Sequence, residues 1–422
     1  MKRPFRTGLV AGLLALTLAG AACSSGSNSA APKPAVSGGA VSAAAGTAPD
    51  AAPAPETTAP APVSSTTAPA PAKPTATTAK PTPTTAKPAT TTTKPAPTTT
   101  TTAKPAEHVT LRLGYFPNVT HAAAIAGVEK GIFADKLGPN VTLQTSIFNA
   151  GSAATEALFS GAIDATYIGP SPTINGWVKS KGAALRIIAG ATSGGASLVV
   201  KPTINSAADL KGQKIATPQL GNTQDVAARA WLLTQGLKTD TQGGGDVHIV
   251  PQDNAQTLTA FESGAIAGAW VPEPWATRLV QEGGGKVLVD ERSLWPAGQF
   301  VTTELIVSTS FLSAHPDVVE RLLEGHIAAT DWINQNPAEA QDVVNGGIAK
   351  VTGQAMNPAT VVASWSQMAF TFDPLAATMS KEASNAQSVG LLPGTVNLDG
   401  IYDLSILNRL LSAAGRPTVS DH

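Results

Sequence analysis

The sequence has one cysteine, Cys23, so no disulfide can form within the chain. Charged residues make up only 14% of the chain, the net charge is −1, and no basic run follows residue 106. That balance excludes the electrostatic footprint of a nucleic-acid binder. The apolar run from Leu9 to Leu18 is too short for a spanning helix. Between Ser24 and Ala106 there is no aromatic residue, no Leu and no Ile; the segment is almost entirely Ala, Pro, Thr, Ser and Gly. It cannot bury enough apolar surface to offset its ordering entropy. Catalytic signatures are missing as well: there is no Gly-x-Ser-x-Gly elbow, no His-Glu-x-x-His and no phosphate-binding Gly-Lys-Ser/Thr loop. The histidines (His108, His121, His248, His315, His326 and His422) are not paired at metal-ligand spacing, so the reading calls for no metal and no cofactor. Asp164 and Glu273 are the carboxylates best placed for catalysis, but neither has a partner acid or base beside it.

What is present begins with an export signal. Lys2, Arg3 and Arg6 precede the apolar run, and Ala19-Gly20-Ala21-Ala22-Cys23 follows it. Small residues before a lone cysteine resemble the lipobox of bacterial lipoproteins, with Gly20 where the common pattern has Leu. The expectation is a signal peptide over 1–22 and a disordered tether over 23–106 that starts at a lipidated Cys23. Within the tether Lys73, Lys80, Lys87 and Lys94 recur at a constant spacing, each followed by Pro. A repeat without apolar a and d positions is no coiled coil. Proline biases it to an extended chain that reaches up to roughly 250 Å.

From Val109 the pattern changes to alternating strands and helices. Strands are expected over Val109–Tyr115, Val141–Ile147, Ile163–Ile168, Leu185–Ala191 and Ser197–Val200, with Thr192–Gly195 as a loop. Helices are expected from about His121 to Lys130, stopped by Gly131, then from Asn149–Ser152 to Ser160–Gly161, and through Trp177. This alternation means an α/β fold with mostly parallel sheets covered on both faces. A second unit repeats it with a strand Val247–Val250, a helix from about Ala255 to Ser263, and a return strand Thr302–Ser308. The rest is helical, with Val319, Leu322, His326 and Ile333 at helical spacing. Lobes are expected over 107–197 and 198–301, with 302–422 returning to the first, and hinge crossings near 196–201 and 299–304.

Lys214 to Asp225 is the most informative stretch: a short strand, a turn punctuated by Pro218 and Gly221, and a helix start with Asn222 at the N-cap. Asp225 has capping-box spacing, and Val226, Ala230, Leu233 and Leu237 form the stripe of a helix with one buried face. A polar turn feeding a helix N-terminus makes a cradle for a small ligand, because the first amides have no intrahelical partners. Leu158–Ile163 and Phe261–Ile266 share Ser-Gly-Ala-Ile, and the same offset places Trp270 opposite Tyr167. If two lobes face each other, both rings are expected at the mouth of one crevice, beyond the carboxyl ends of the strands.

Several motifs together carry a resemblance: Gly114-Tyr115-Phe116-Pro117-Asn118 with His121, Asn149-Ala150-Gly151, Ser160 to Asp164 followed by Tyr167-Ile168-Gly169-Pro170, Asp209-Leu210-Lys211-Gly212, Pro218 to Asp225, and Pro272-Glu273-Pro274-Trp275. Over Val109 to Gly415 the chain resembles the aliphatic sulfonate, taurine and nitrate branch of ABC-importer substrate-binding proteins. The resemblance implies a two-lobed type II periplasmic-binding-protein fold, a ligand between the lobes, hinge closure, and delivery to a membrane permease by a monomeric, non-enzymatic receptor anchored to the cell membrane. It also implies a ligand site of Phe116, Asn118, His121, Gly151, Ser152, Tyr167, Gly169, Pro170, Ser171, Ser193, Gly221, Asn222, Thr223, Gln224, Trp270 and Glu273. Amides and hydroxyls would hold an anionic head, while Tyr167, Trp270 or Phe116 pack on the organic part. Arg186, Arg229 and Arg278 lie in strand or helix bodies, where a solvated face is expected. Two alternatives stay open: a neutral or zwitterionic solute such as a pyrimidine-type vitamin precursor, and an extracytoplasmic enzyme.

Overall fold

The computed structural model describes residues 108–422. The expected signal peptide, Cys23 and the tether lie outside the described residues.

β1 (Val109–Tyr115) starts half-buried and is buried throughout from Leu113, and a single 3-10 turn (Val119–His121) connects it to α1 (Ala122–Glu129). Gly131, at φ 71°, ends that helix as its position implies, but a further short helix, α2 (Ile132–Leu137), follows at once. β2 (Val141–Ile147), α3 (Gly151–Phe159), β3 (Ala165–Ile168), α4 (Pro170–Lys179) and β4 (Leu185–Gly194) complete the first run. The stretch expected as the loop Thr192–Gly195 is thus mostly strand, because β4 continues along its neighbours to Gly194.

The second run comprises β5 (Ala196–Val200), β6 (Lys214–Thr217), α5 (Thr223–Thr234), β7 (His248–Pro251), α6 (Asn254–Glu262), β8 (Gly268–Pro272), α7 (Trp275–Gln281) and β9 (Lys286–Asp290). β10 (Val301–Ser308) then returns, followed by α8 (Thr309–Ala314), α9 (Pro316–Gln335), α10 (Pro337–Thr352), α11 (Pro358–Trp365), β11 (Met368–Phe370), α12 (Met379–Ser388) and α13 (Ser405–Ala413). In α5 Val226 and Ala230 of the expected stripe are buried, beside Ala227, Ala228 and Leu232; Leu237 is also buried but lies past the helix end, and only Leu233, exposed at 45%, departs from the stripe.

Two sheets result, in the orders β11-β4-β10-β3-β1-β2 and β7-β6-β8-β5-β9. Read from β2 and from β7, they share a pattern. β1 and β6 each pair in parallel with two neighbours, and an antiparallel strand, β10 or β5, lies beyond. The chain leaves the first sheet at Gly194–Gly195, ahead of the expected stretch, because β5 already pairs with β8. It re-enters at Val301, which pairs with Ser193. Each sheet has its own apolar clusters. Leu113, Ile188, Leu305 and Leu322 sit among those of the first, and Leu198, Ile215, Phe261 and Trp270 among those of the second. This α/β architecture of two sheets flanked by helices puts the carboxyl ends of the parallel strands opposite one another.

Candidate functional site

Beyond those strand ends, α3, α4, α5 and α6 each begin with an N-terminus at the space between the lobes. Their N-cap residues are Ala150, Gly169, Asn222 and Asp253, and none of the four makes a side-chain capping bond. Away from this space, Ser308 and Asn357 do cap α8 and α11 through their side chains. Uncapped first-turn amides give a helix N-terminus about half a unit of positive partial charge, so those of α3, α5 and α6 facing one cavity favour an electron-rich guest; the first turn of α4 holds Pro170 and Pro172, and its Ser171 amide goes to Thr223 Oγ1.

The cavity has two connected parts. The inner chamber, ≈ 40 Å³, is lined by Phe116, Asn118, Thr120, His121, Asn149, Gly151, Gly169, Asn222, Thr223, Gln224, Asn254, Thr302 and Thr303, together with Pro172, Pro218 and Pro272. No charged side chain lines it. The His121 ring stacks on Phe116 at 4.6 Å, and its Nδ1 accepts from the Phe116 amide at 3.3 Å. That bond leaves the proton on Nε2. Burial pushes the His121 pKa down to about 3, so the ring is neutral. Asn222 Oδ1 and Asn254 Oδ1 are buried without a hydrogen-bond partner.

The lobes meet closely here. The Ser171 amide donates to Thr223 Oγ1 at 3.4 Å, Trp275 Nε1 donates to Asn118 Oδ1 at 3.0 Å, and Thr360 Oγ1 donates to Gln281 Oε1 at 2.7 Å. Only glycine fits at position 169, since a Cβ there would stand 2.4 Å from Thr223 Oγ1. The outer chamber, ≈ 630 Å³, shares Phe116, Asn118, Asn149 and Asn254 with the inner one and adds Leu258, Trp275, Arg278, Ile348 and Met356.

Of the residues expected at the site, Phe116, Asn118, His121, Gly151, Gly169, Asn222, Thr223 and Gln224 come together on the inner chamber. Others do not. Ser152 bonds Gln219 through its hydroxyl and, with Gly221, lines a separate hollow beside Phe159 and Leu220. Pro170 and Ser171 are buried in the first turn of α4, and Ser193 is held in the β4 ladder. Tyr167 and Trp270, expected at the crevice mouth, are core residues. Tyr167 Oη bonds His326 Nδ1 at 2.8 Å, and Trp270 Nε1 donates to Glu291 Oε2 at 2.7 Å. Each ring is fully buried because its strand turns that side chain toward the helices behind the sheet. Glu273 is 2% exposed and accepts from the Thr277 amide and hydroxyl at 3.0 Å, so it closes the start of α7. Its pKa is raised by burial, against the pull of the Thr277 bonds.

Two electrostatic expectations change as well. Arg229 is 1% exposed, not on a solvated face, and pairs with the equally buried Asp225 at 3.0 Å. Asp225 also accepts from Thr217 Oγ1 at 2.8 Å and from the Gly221 amide at 2.9 Å, so no capping box with Asn222 forms and its charge is answered inside the lobe. Arg278 lines the outer chamber, paired to Glu282 by two bonds of 2.9 Å. Asp164 is taken up by Arg112.

Polar lining residues absent from the expected site are Thr120, Asn149, Asn254, Thr302 and Thr303. A signal for Asn254 was present: the offset that pairs Ser160 with Ser263 also pairs Gly151, first residue of α3, with Asn254, first residue of α6. Thr302 and Thr303 start the return strand and carry no motif.

The chain is 27% identical over 240 residues to a binding protein of Brucella abortus, covering 56% of this chain and 71% of that one. It is 29% identical over 190 residues to the taurine-binding periplasmic protein of Escherichia coli, covering 45% and 57%. The alkanesulfonate-binding protein SsuA from Xanthomonas axonopodis, solved with MOPS bound, superposes with a TM-score of 0.59 at 21% identity, covering 71% of this chain and 99% of that one. That likeness establishes the periplasmic-binding-protein fold. Residues 104–346 match the model of the NMT1-like family, more than half of the chain, and the protein therefore belongs to the NMT1-like family.

Proposed function

We propose that the protein is the exported receptor of an ABC importer and captures a small organosulfonate, an alkanesulfonate or taurine, between its lobes. The observation that carries this reading is the set of helix N-termini from both lobes, those of α3, α5 and α6, whose first-turn amides take no side-chain cap, around a buried chamber lined only by neutral groups. Such a site holds an oxyanion with amides, hydroxyls and the neutral His121 ring, without a cationic side chain. The sulfonate- and taurine-binding relatives support the same class.

Asn222 Oδ1 and Asn254 Oδ1 favour a second feature in the solute. As buried acceptors without partners they suit a ligand N–H, which an amino-bearing zwitterion supplies. Binding of any solute favours closure only to the extent that the closed form binds it better.

The test is a thermal-shift and calorimetric panel of taurine, alkanesulfonates, nitrate and neutral pyrimidines, with mass spectrometry of solute that co-purifies. At a hundredfold excess over Kd a sulfonate should add about 2.7 kcal/mol of stability. Stabilisation by a pyrimidine and by no sulfonate would reject the anion reading. Anchoring through Cys23 belongs to the same proposal: Cys23→Ala should release the protein from the membrane fraction, and retention there would refute a lipid anchor.

A further inference from the structure

We propose that the two flanks of the lobe junction have different duties: the contact of α12 with α5 is a pivot that stays shut, and α11 is a hydrogen-bonded latch that releases α7 to open the cleft. Such a motion is set by the lobes alone and holds whichever solute the cleft takes. Both helices follow β10 in the chain, and both reach across to the second lobe, α12 onto α5 and α11 onto α7.

On the α12 flank the joint is apolar. Val226 of α5, 1% exposed, lies in one cluster with Met379, Ala383 and Ala386, which recur along α12 at helical spacing, and with Ile174 and Trp177 of α4. Lys381 adds a second hold: it donates to the Leu294 carbonyl at 2.6 Å, and its ammonium stands 4.2 Å from the centre of the Trp295 ring. Parting these surfaces would return packed apolar area to water, the main cost of separating two elements.

The α11 flank is built the other way. Among the described residues no apolar cluster joins α7 to α11: Ala276 and Leu279 of α7 belong to the second sheet, and Trp365 of α11 packs against the first. What crosses the seam is polar. Thr360 and Ser364 share one face of α11, and Gln367 follows just past its end. Thr360 Oγ1 reaches Gln281 Oε1, as given above, and Arg292 Nη2 donates to Gln367 Oε1 at 2.7 Å. Ser364, fully buried, has two acceptors in reach, the Glu273 carboxylate of the second lobe and the Thr360 carbonyl of its own helix at 2.8 Å. Its proton therefore keeps an acceptor whether the seam is shut or parted. Water can take over the bonds of Gln281, which is exposed, so release costs little. Trp275, Arg278 and Gln281 border the outer chamber from one side and Thr360 from the other, so this mouth widens when the latch lets go.

The experiment uses the full chain carrying Cys23→Ser, with no solute added and nitroxide labels at exposed positions on each flank. Val362→Cys with Ser263→Cys reports on the latch side, and Ser384→Cys with Leu233→Cys on the pivot side. Across the latch the label distances should divide into a short and a long population. Thr360→Val should raise the long-to-short ratio about two- to tenfold, the worth of one hydrogen bond. Gln281→Ala breaks the same bond from the exposed side and should match it, and Thr360→Ser, which keeps the hydroxyl, should restore the wild-type ratio. Across the pivot one distance should persist in every variant. Equal spreading on both flanks overturns the division of duties, and a latch-side ratio that ignores both Thr360→Val and Gln281→Ala overturns the latch.

Discussion

The two lobes share strand order and direction, yet they treat equivalent groups differently. In the first lobe the start of α4 faces the chamber; in the second, the start of α7 is filled by the Glu273 carboxylate. Tyr167 and Trp270 occupy matching places on β3 and β8, but the first is satisfied by a neutral histidine from α9 and the second by a carboxyl that follows β9. The ion pairs differ too. Arg112–Asp164 in the first lobe is open on the arginine side, at 39%, whereas Arg229–Asp225 in the second is sealed at 1% and 0%. A repeated fold thus fixes where polar groups stand and leaves open whether solute, solvent or the chain itself answers them.

Removing one side of the ion pairs should separate the lobes most. Arg229→Met leaves Asp225 buried and unpaired and should cost about 3–5 kcal/mol. Arg112→Met should cost less, about 1–3 kcal/mol, because the buried Asp164 keeps its bond from the residue-112 amide and water reaches it from the open arginine side. Urea denaturation of both variants is the measurement, and equal losses would erase the distinction.

The next effect is a dependence on pH. Burial raises Glu291 to about 7 and Glu304 to about 8, above the ordinary 4.5. Between the ordinary and raised values the folded chain holds protons that the unfolded chain has released, so stability falls as pH rises through that window, to which the buried Glu382, raised well above 4.5, also contributes. His121 and His326 act in the opposite sense, since burial lowers them to about 3 and about 4, and their contribution is lost as pH falls below 6.5. From pH 6.5 to 8, where only the carboxyls act, the loss should be on the order of 2–3 kcal/mol. Glu304→Gln should reduce the slope in melting temperature, with Glu291 and Glu382 carrying the remainder, and an unchanged slope would show that Glu304 is not among its sources.

Smaller again is the cost of the rings' polar tips. Tyr167→Phe strands His326 Nδ1 and should cost about 1–3 kcal/mol, with Trp270→Phe at least as costly. Neither should change solute affinity more than about twofold. A large loss of affinity at unchanged stability would return these rings to the cleft. The smallest effect concerns closure: Gly169→Ala should weaken binding by about tenfold, or about 1.4 kcal/mol, by holding the lobes apart. Adding Thr223→Ala removes the atom that the new Cβ meets, so the double variant should close further by small-angle scattering than Gly169→Ala alone.

Much of the architecture could be read from residue order because Gly131, Gly161 and Gly264 stop helices and apolar periodicity marks the strands. The elements that escaped are short or lie at edges. α2 spans six residues, and β9 is an edge strand with mixed burial. At the site, residues in the turns before helices were legible through their Gly, Asn and Thr content. The rings were misplaced for a physical reason: a residue near a strand end points to either face, and the partners that decide it, His326 and Glu291, are distant in sequence. Arg229 differs from expectation because an arginine in a helix body ordinarily keeps a solvated face, whereas here Asp225 one turn before it holds the guanidinium inside the lobe.

The position of β10 bears on the order of assembly. The second sheet is made from the continuous stretch Ala196–Asp290, so all its strands are available together once that stretch has emerged. In the first sheet β10 lies between β3 and β4, two strands made long before it. Until Val301–Ser308 arrives, those two strands expose unpaired edges, the surface on which chains associate wrongly. During synthesis the lobe that starts first is the lobe that finishes last.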